Sequence, residues 1–164
     1  MNTIMDDIKI IMLRELNTFK NEIENFPDDK TVWQIVPGIS NSAGNLALHI
    51  CGNLKHYLGN VLGNIKYVRN RDREFSTKSG TRTGLVNEIN ETSDVVKRVL
   101  SNLSEDKINS IYPERVGGVE LSTVRFLIHL SGHLALHLGQ AGYLRRMITG
   151  INQSSNPLSV KLIS

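Results

Sequence analysis

Four long stretches of the sequence carry apolar side chains at steps of three and four residues, the spacing that places them on one stripe of an α-helix. Pro27 ends the first stretch, and Ser42 and Ser122 stand where N-caps of the second and fourth helices are expected. The sequence therefore predicts an all-α protein, a four-helix bundle with one long connection. The predicted helices span residues 4–26, 42–62, 85–103 and 123–148.

Three other segments lack this period. Residues 63–84 contain six Lys and Arg against Asp72 and Glu74, which indicates a basic, mobile loop. Residues 104–121 contain the pair Gly117-Gly118, which predicts a small two-stranded turn before the last helix. The remaining end of the chain is predicted to be loosely held. We therefore expect one domain, 1–150, and a C-terminal tail, 151–164.

Composition argues against several classes of protein. A single cysteine means that the fold does not depend on a disulfide or on an oxidising compartment. No run of about 18 apolar residues exists to span a membrane, and Asp6 and Asp7 stand where a secretion signal would be basic. The net charge of +3 is too small to indicate nucleic-acid binding. We expect a cytoplasmic protein with no membrane or nucleic-acid partner.

All five histidines fall in two of the predicted helices. His133 and His137 are one helical turn apart and share a face, so both imidazoles can bind one metal ion. A third imidazole has to come from the second helix, where His49 is expected opposite this pair. Three imidazoles without a thiolate describe an open site of the catalytic kind. Each histidine taken alone is more typical of a surface or hydrogen-bonded core position, so the spacing leaves both interpretations open.

Two stretches of the sequence resemble the signatures of the DinB superfamily. HLSGHLALHLGQAGYLRR (129–146) resembles that family's closing helix, where HxxxH runs into a Gly-Gln pair and an apolar helix. WQIVPGISNSAGNLALH (33–49) resembles its other signature, a Trp, a Pro-Gly turn, Ser-rich capping and a helix with a histidine. The resemblance implies an up-down-down-up four-helix bundle and a homodimer. It also implies a divalent metal ion held by His49, His133 and His137, for which we expect zinc or nickel.

The sequence departs from this family beside the proposed ligands. Many members have two adjacent histidines and an arginine before the Gly-Gln pair, whereas Leu136 and Leu138 flank His137 here. His56 and His129 are expected to lie outside the set of ligands. Cys51 follows His49 by two residues and points away from it, so we interpret it as a small core residue.

The resemblance leaves two kinds of chemistry open. A bound divalent ion lowers the pKa of water or of a thiol, and relatives include enzymes of thiol S-transfer with low-molecular-weight thiols and of metal-assisted hydrolysis. Leu134 stands where HExxH metalloproteases have their general base, which excludes that class. The expected polar neighbours are Asn45, Asn53 and Gln140, with no acid one turn from a ligand, which weakens the hydrolase interpretation.

Two further interpretations remain beside a metal-dependent enzyme acting on a small molecule. The first is a non-catalytic bundle in which the metal joins two helices or senses a ligand. The second is haem held between His49 and His133, which three converging histidines and few aromatic side chains disfavour. The sequence identifies no catalytic residue. Gly132, Gly139 and Gly142 are costly in a helix, which indicates close approach of another helix, within the bundle or across a dimer.

Overall fold

A computed structural model describes residues 3–163, which form a mostly helical protein without a strand. The two short turns of 3-10 helix are Thr31–Trp33 and Val160–Leu162. The α-helices are α1 (Ile4–Glu24), α2 (Ala43–Leu54), α3 (Arg71–Ser76), α4 (Arg82–Asn102), α5 (Glu105–Asn109) and α6 (Thr123–Thr149). Among these residues no helix is long and apolar enough to cross a membrane.

Side-chain caps set where the long helices begin. The hydroxyl of Thr3 accepts from the backbone of Asp6 at the start of α1, and Ser42 accepts from Asn45 at the start of α2. In both cases the second side chain binds back to the backbone of the first, which makes a capping box. The last helix ends at Gly150, whose φ of 68° is left-handed and favours glycine. The four predicted long helices are confirmed.

The second helix changes its hydrogen-bonding pattern halfway along. After α2, residues Lys55–Leu62 form a π-helix, in which the backbone N–H of Gly63 donates to the carbonyl of Leu58. The predicted helix over residues 42–62 is therefore helical to Leu62, but its second half is a π-helix instead of an α-helix. The change from α-helix to π-helix could not be predicted from the sequence, because the apolar spacing continues across it. π-Helical turns within α-helices are frequently found at functional sites.

The apolar stripes of the long helices share one core. The first helix packs against α4 and α6, and α2 packs against the same two helices. Each buried large side chain contributes about 1.5–3 kcal/mol to the free energy of unfolding. The stripe of α6 includes Leu130, Leu134 and Leu138, all almost completely buried. This core sets the rotation of α6 and thus the direction in which its histidines point.

The long connection between the second and third long helices is folded over the start of α2. It contains α3, so the prediction of a loop is wrong for residues 71–76. The side-chain amide of Asn45 donates to the carbonyls of Glu74 and Thr77, at 3.0 and 2.8 Å. The indole N–H of Trp33 donates to the carbonyl of Gly80 at 2.8 Å. These contacts attach both halves of the connection to the helical core.

The segment before the last helix only partly matches its prediction. It begins with α5, which was not predicted, and has two isolated antiparallel bridges, Ile111 with Ser122 and Val116 with Val119. Gly117 and Gly118 both have positive φ and make the turn between the second pair. The expected two-stranded turn is therefore reduced to these two bridges.

A buried ion pair connects the first and last helices to the tail. Glu22 and Arg145 are each 1% exposed and bind one another. The Arg145 guanidinium also donates to the carbonyl of Gln153, and the hydroxyl of Ser155 donates to Glu22. The prediction of a loosely held end is therefore wrong for these two tail residues. Gly142 packs here too, because a Cβ on it would lie 3.0 Å from the Glu22 carboxylate.

We predict that Arg145→Ala lowers the free energy of unfolding by about 3–5 kcal/mol, because it leaves the Glu22 carboxylate buried without its partner. Arg146→Ala is the matched control. Its guanidinium is partly exposed and lies 3.9 Å from the same carboxylate, so its loss should cost less than about 1 kcal/mol. Urea unfolding followed by circular dichroism measures both changes. Equal losses in the two variants would contradict this assignment.

Candidate metal centre

Three imidazoles meet where α2 faces α6. The Nε2 atom of His133 lies 3.3 Å from Nε2 of His49 and 3.0 Å from Nε2 of His137. One ligand atom from each of the three residues lies within 4.8 Å of the other two. Nitrogen ligands about 2.0–2.1 Å from a tetrahedral zinc ion are about 3.3–3.4 Å apart. The three histidines are therefore close enough to hold one metal ion.

The core positions these rings. On α2 the side chains of Leu46 and Ile50 are buried, which turns His49 between them toward α6. On α6 the buried leucines fix the helix so that His133 and His137 project one above the other, half-buried. His49 is 7% exposed and closes the inner side of the cluster. The cluster thus lies at the edge of the core, open on one side.

Hydrogen bonds on the far side of two rings determine which nitrogen faces the cluster. Nδ1 of His49 lies 2.9 Å from Oε2 of Glu74, a carboxylate oxygen that only accepts. Nδ1 of His137 lies 2.7 Å from the side-chain oxygen of Gln140. In the neutral form of each ring, Nδ1 therefore carries the hydrogen and Nε2 presents a lone pair toward His133.

This arrangement of donors is incomplete without a cation. Nε2 of His133 has two lone-pair neighbours, yet a neutral ring can donate only one hydrogen from that atom. In at least one of these two contacts, therefore, no hydrogen lies between the nitrogen atoms and their lone pairs repel one another. A divalent ion among the three nitrogens replaces this repulsion with attraction. The residues present thus fit a metal ion with imidazole ligands.

The surroundings keep two of the rings uncharged. Burial, and then the positive charge that His137 and His49 would carry, lowers the pKa of His133 to about 4. Burial also lowers the pKa of His137, although its bond to Gln140 acts in the opposite direction. Both rings are therefore neutral near pH 7, which is the form that binds metal ions.

Glu74 and Arg69 adjoin the cluster, and sequence reasoning missed both. Arg69 binds the Glu74 carboxylate with two parallel hydrogen bonds, Nε to Oε1 at 2.7 Å and Nη2 to Oε2 at 2.8 Å. Burial would raise the pKa of Glu74, but the bonds from Arg69 and then His49 outweigh it and hold the pKa below its ordinary value. The sequence analysis considered only acids one helical turn from a ligand, and Glu74 reaches His49 from a different element.

Close packing accompanies these polar contacts. A Cβ on Gly52 would lie 2.1 Å from Oε1 of Glu74, so only glycine leaves room for the carboxylate there. The Phe75 ring lies against His49 with 4.9 Å between ring centroids. The guanidinium of Arg71 lies 5.1 Å from the centroid of the Phe75 ring. This part of the connection thus covers the Glu74 side of His49.

The other histidines and the cysteine lie where the sequence analysis expected them, outside the group of three. His56 lies 3.5 Å from the carboxylate of Glu114, and the exposed His129 stacks on His133 with 6.2 Å between ring centroids. Cys51 is buried in the core, and burial raises the pKa of its thiol to about 12. Cys51 is therefore a protonated core residue at neutral pH.

The three polar neighbours expected from the sequence have different places. Gln140 binds His137, whereas Asn45 caps α2 and holds the connection instead of lining the cluster. Asn53 lies one turn after His49, and its buried side-chain oxygen has no hydrogen-bond partner within residues 3–163. Only Gln140 is thus confirmed as a direct neighbour of a clustered histidine.

Comparison with known proteins assigns a family but no activity. The model of a family described as "Protein of unknown function (DUF1572)" matches residues 5–160, nearly the whole chain. No curated protein matches the chain.

Proposed function

The chain belongs to the DUF1572 family of proteins of unknown function, and we propose that it binds a divalent metal ion through His49, His133 and His137. The observation that carries this proposal is the spacing of the three Nε2 atoms, two of which have their opposite nitrogen hydrogen-bonded away from the cluster. Zinc or nickel suits imidazole ligands. Three protein ligands leave a coordination position for a small molecule.

The resemblance to the DinB superfamily extends this proposal to the fold. We place the chain in that superfamily as an up-down-down-up four-helix bundle of one domain. The contacts support a ring in which α1 and α2 each lie between α4 and α6. The two stretches that carry the resemblance, 33–49 and 129–146, contain all three clustered histidines.

Among the reactions considered, the geometry favours thiol transfer. When bound, the ion supplies a Lewis acid that makes a nearby thiol easier to deprotonate. Hydrolysis assisted by a general base is disfavoured, because both carboxylate oxygens of Glu74 are already bound by Arg69 and His49. We therefore propose a transferase in which a low-molecular-weight thiol loses its proton to solvent and its sulfur forms a new bond to an electrophile, whose leaving group departs with the electron pair.

The main alternative is a protein that binds metal without turnover. In that case the ion joins α2 to α6, because His49 belongs to α2 and the other two ligands belong to α6. The two proposals share the same site and differ only in whether a substrate reacts there. A cytoplasmic location and the absence of a nucleic-acid partner stay predictions from composition.

We predict one equivalent of divalent metal per chain in protein purified without a histidine tag, measured by elemental analysis after dialysis. His133→Ala removes the central imidazole and should lose the metal. His129→Ala is the matched control, because this ring lies one turn earlier on α6 and outside the group of three. It should keep the metal. Metal-free wild-type protein, or full retention in His133→Ala, would refute the site, and a Soret band in the absorption spectrum would indicate haem instead.

We predict that the metal-loaded protein joins a small thiol to an electrophilic acceptor faster than the metal-free protein does. Mass spectrometry of the thioether product measures the reaction, and His133→Ala should give only the background rate. The His129→Ala variant should retain the rate. Metal-dependent hydrolysis of esters or amides without thiol transfer would overturn this preference, and a lack of turnover in both assays would favour the non-catalytic alternative.

We also propose a homodimer through the exposed face of α6. Ile128, Leu136 and Tyr143 are exposed there, and a Cβ on Gly132 or Gly139 would meet no atom of the described chain within 4 Å. No other element of the described chain therefore packs closely against these two glycines, which leaves their side of α6 free for a second copy of the chain. Light scattering should give twice the mass of one chain, and Leu136→Glu should halve it. A wild-type monomer at micromolar concentration would contradict the proposal.

A further inference from the structure

Glu74 reaches the histidine cluster from outside the two helices that supply the imidazoles. We infer that Glu74 is a positioning residue, which fixes the tautomer and the ring orientation of His49 so that its Nε2 atom faces the metal ion. This inference rests on the proposed metal site. It assigns to Glu74 no contact with the ion or with a substrate, and its effect passes through His49.

The first step concerns the hydrogen on Nδ1 of His49. That nitrogen has two neighbours that require opposite tautomers, the Glu74 carboxylate at 2.9 Å and the Arg69 guanidinium at 3.3 Å. Arg69 can only donate, and its Nη2 already donates to Oε2 of Glu74 at 2.8 Å. Glu74 can only accept at neutral pH and is the closer partner. Nδ1 therefore carries the hydrogen, and in the neutral ring, the form that binds metal ions, the lone pair is on Nε2.

The second step concerns the rigidity of the carboxylate. Arg69 holds both of its oxygens, and Asn45 holds the backbone carbonyl of the same residue. Gly52 provides the space in which the carboxylate lies. Glu74 is 5% exposed, so water does not compete freely for these bonds. A carboxylate held in this way fixes the orientation of the His49 ring, because Nδ1 of that ring is hydrogen-bonded to it.

The third step separates this role from that of a ligand or a base. Both oxygens of Glu74 are already hydrogen-bonded, and the charge of Arg69 balances that of the carboxylate. What remains is the hydrogen bond to Nδ1, which makes the imidazole a stronger and better oriented ligand. His137 has a neutral counterpart of this arrangement in Gln140. Within residues 3–163, His49 is the only one of the three histidines that pairs with a carboxylate.

Glu74→Gln tests the inference, because it keeps the size of the side chain and removes its charge and its pure acceptor character. Competition with a chelator measures the affinity for Zn²⁺ or Co²⁺, which should be about 10–100-fold weaker than in the wild type. Gly52→Ala should weaken binding in the same direction, because the added methyl group displaces the carboxylate. Glu88→Gln is the control. Glu88 binds Lys55 in the same region and not a histidine, so metal affinity should not change.

Nitrogen-15 NMR of the metal-free proteins measures the tautomer of His49, which a general loss of stability would not change. The wild type should show His49 with hydrogen on Nδ1 alone. Glu74→Gln should add the other tautomer, because Arg69 can then donate to Nδ1. Circular dichroism verifies that each variant is folded.

The outcomes separate this inference from the proposed function. Wild-type metal affinity in folded Glu74→Gln, or hydrogen on Nε2 of His49 in the wild type, overturns the positioning role and leaves the metal site intact. A wild-type protein that binds neither Zn²⁺ nor Co²⁺ refutes the proposed function and with it the role of Glu74 toward a metal.

Discussion

Burial of the apolar stripes of α2 and α6 is the constraint on which the rest of the site depends. Leu46 and Ile50 on one helix and the leucines of the other can enter the core at only one rotation of each helix. That rotation turns His49 toward the pair on α6 and brings three Nε2 atoms to the spacing of metal ligands. The three imidazole nitrogens repel one another when no ion lies between them. Burial of the apolar side chains in the core offsets this repulsion and keeps the rings close together.

The connection between the second and third long helices completes the site from outside the core. Its attachment at Trp33 and Asn45 places Glu74 on the far side of His49, where Arg69 holds it. A segment rich in positive charge thus supplies the one carboxylate that contacts a clustered histidine in the part of the chain that the structure describes. Within this segment the charge of Arg69 is balanced by that of Glu74.

The helices and the pair His133 and His137 could be predicted from the sequence because both depend on local spacing. His49 was expected beside this pair because the second helix carries the other histidines and because the resemblance implies it as a ligand. Apolar steps of three and four identify the helices, and the interval between His133 and His137 identifies a shared face. Glu74, the π-helix after Leu54 and the tail contacts of Ser155 could not be predicted in this way. Each depends on a partner distant in the sequence or on a hydrogen-bonding change that leaves the apolar period intact. The domain boundary at residue 150 stays a prediction.

X-ray absorption spectroscopy of the zinc-loaded protein tests the central claim most directly, that imidazoles from two helices bind one ion. The account predicts three histidine nitrogens about 2.0–2.1 Å from zinc, with no sulfur among the protein ligands. Removing His49 should reduce the histidine count by one. A sulfur ligand at about 2.3 Å, which would have to come from Cys51, or a shell of oxygen without imidazole, would contradict it.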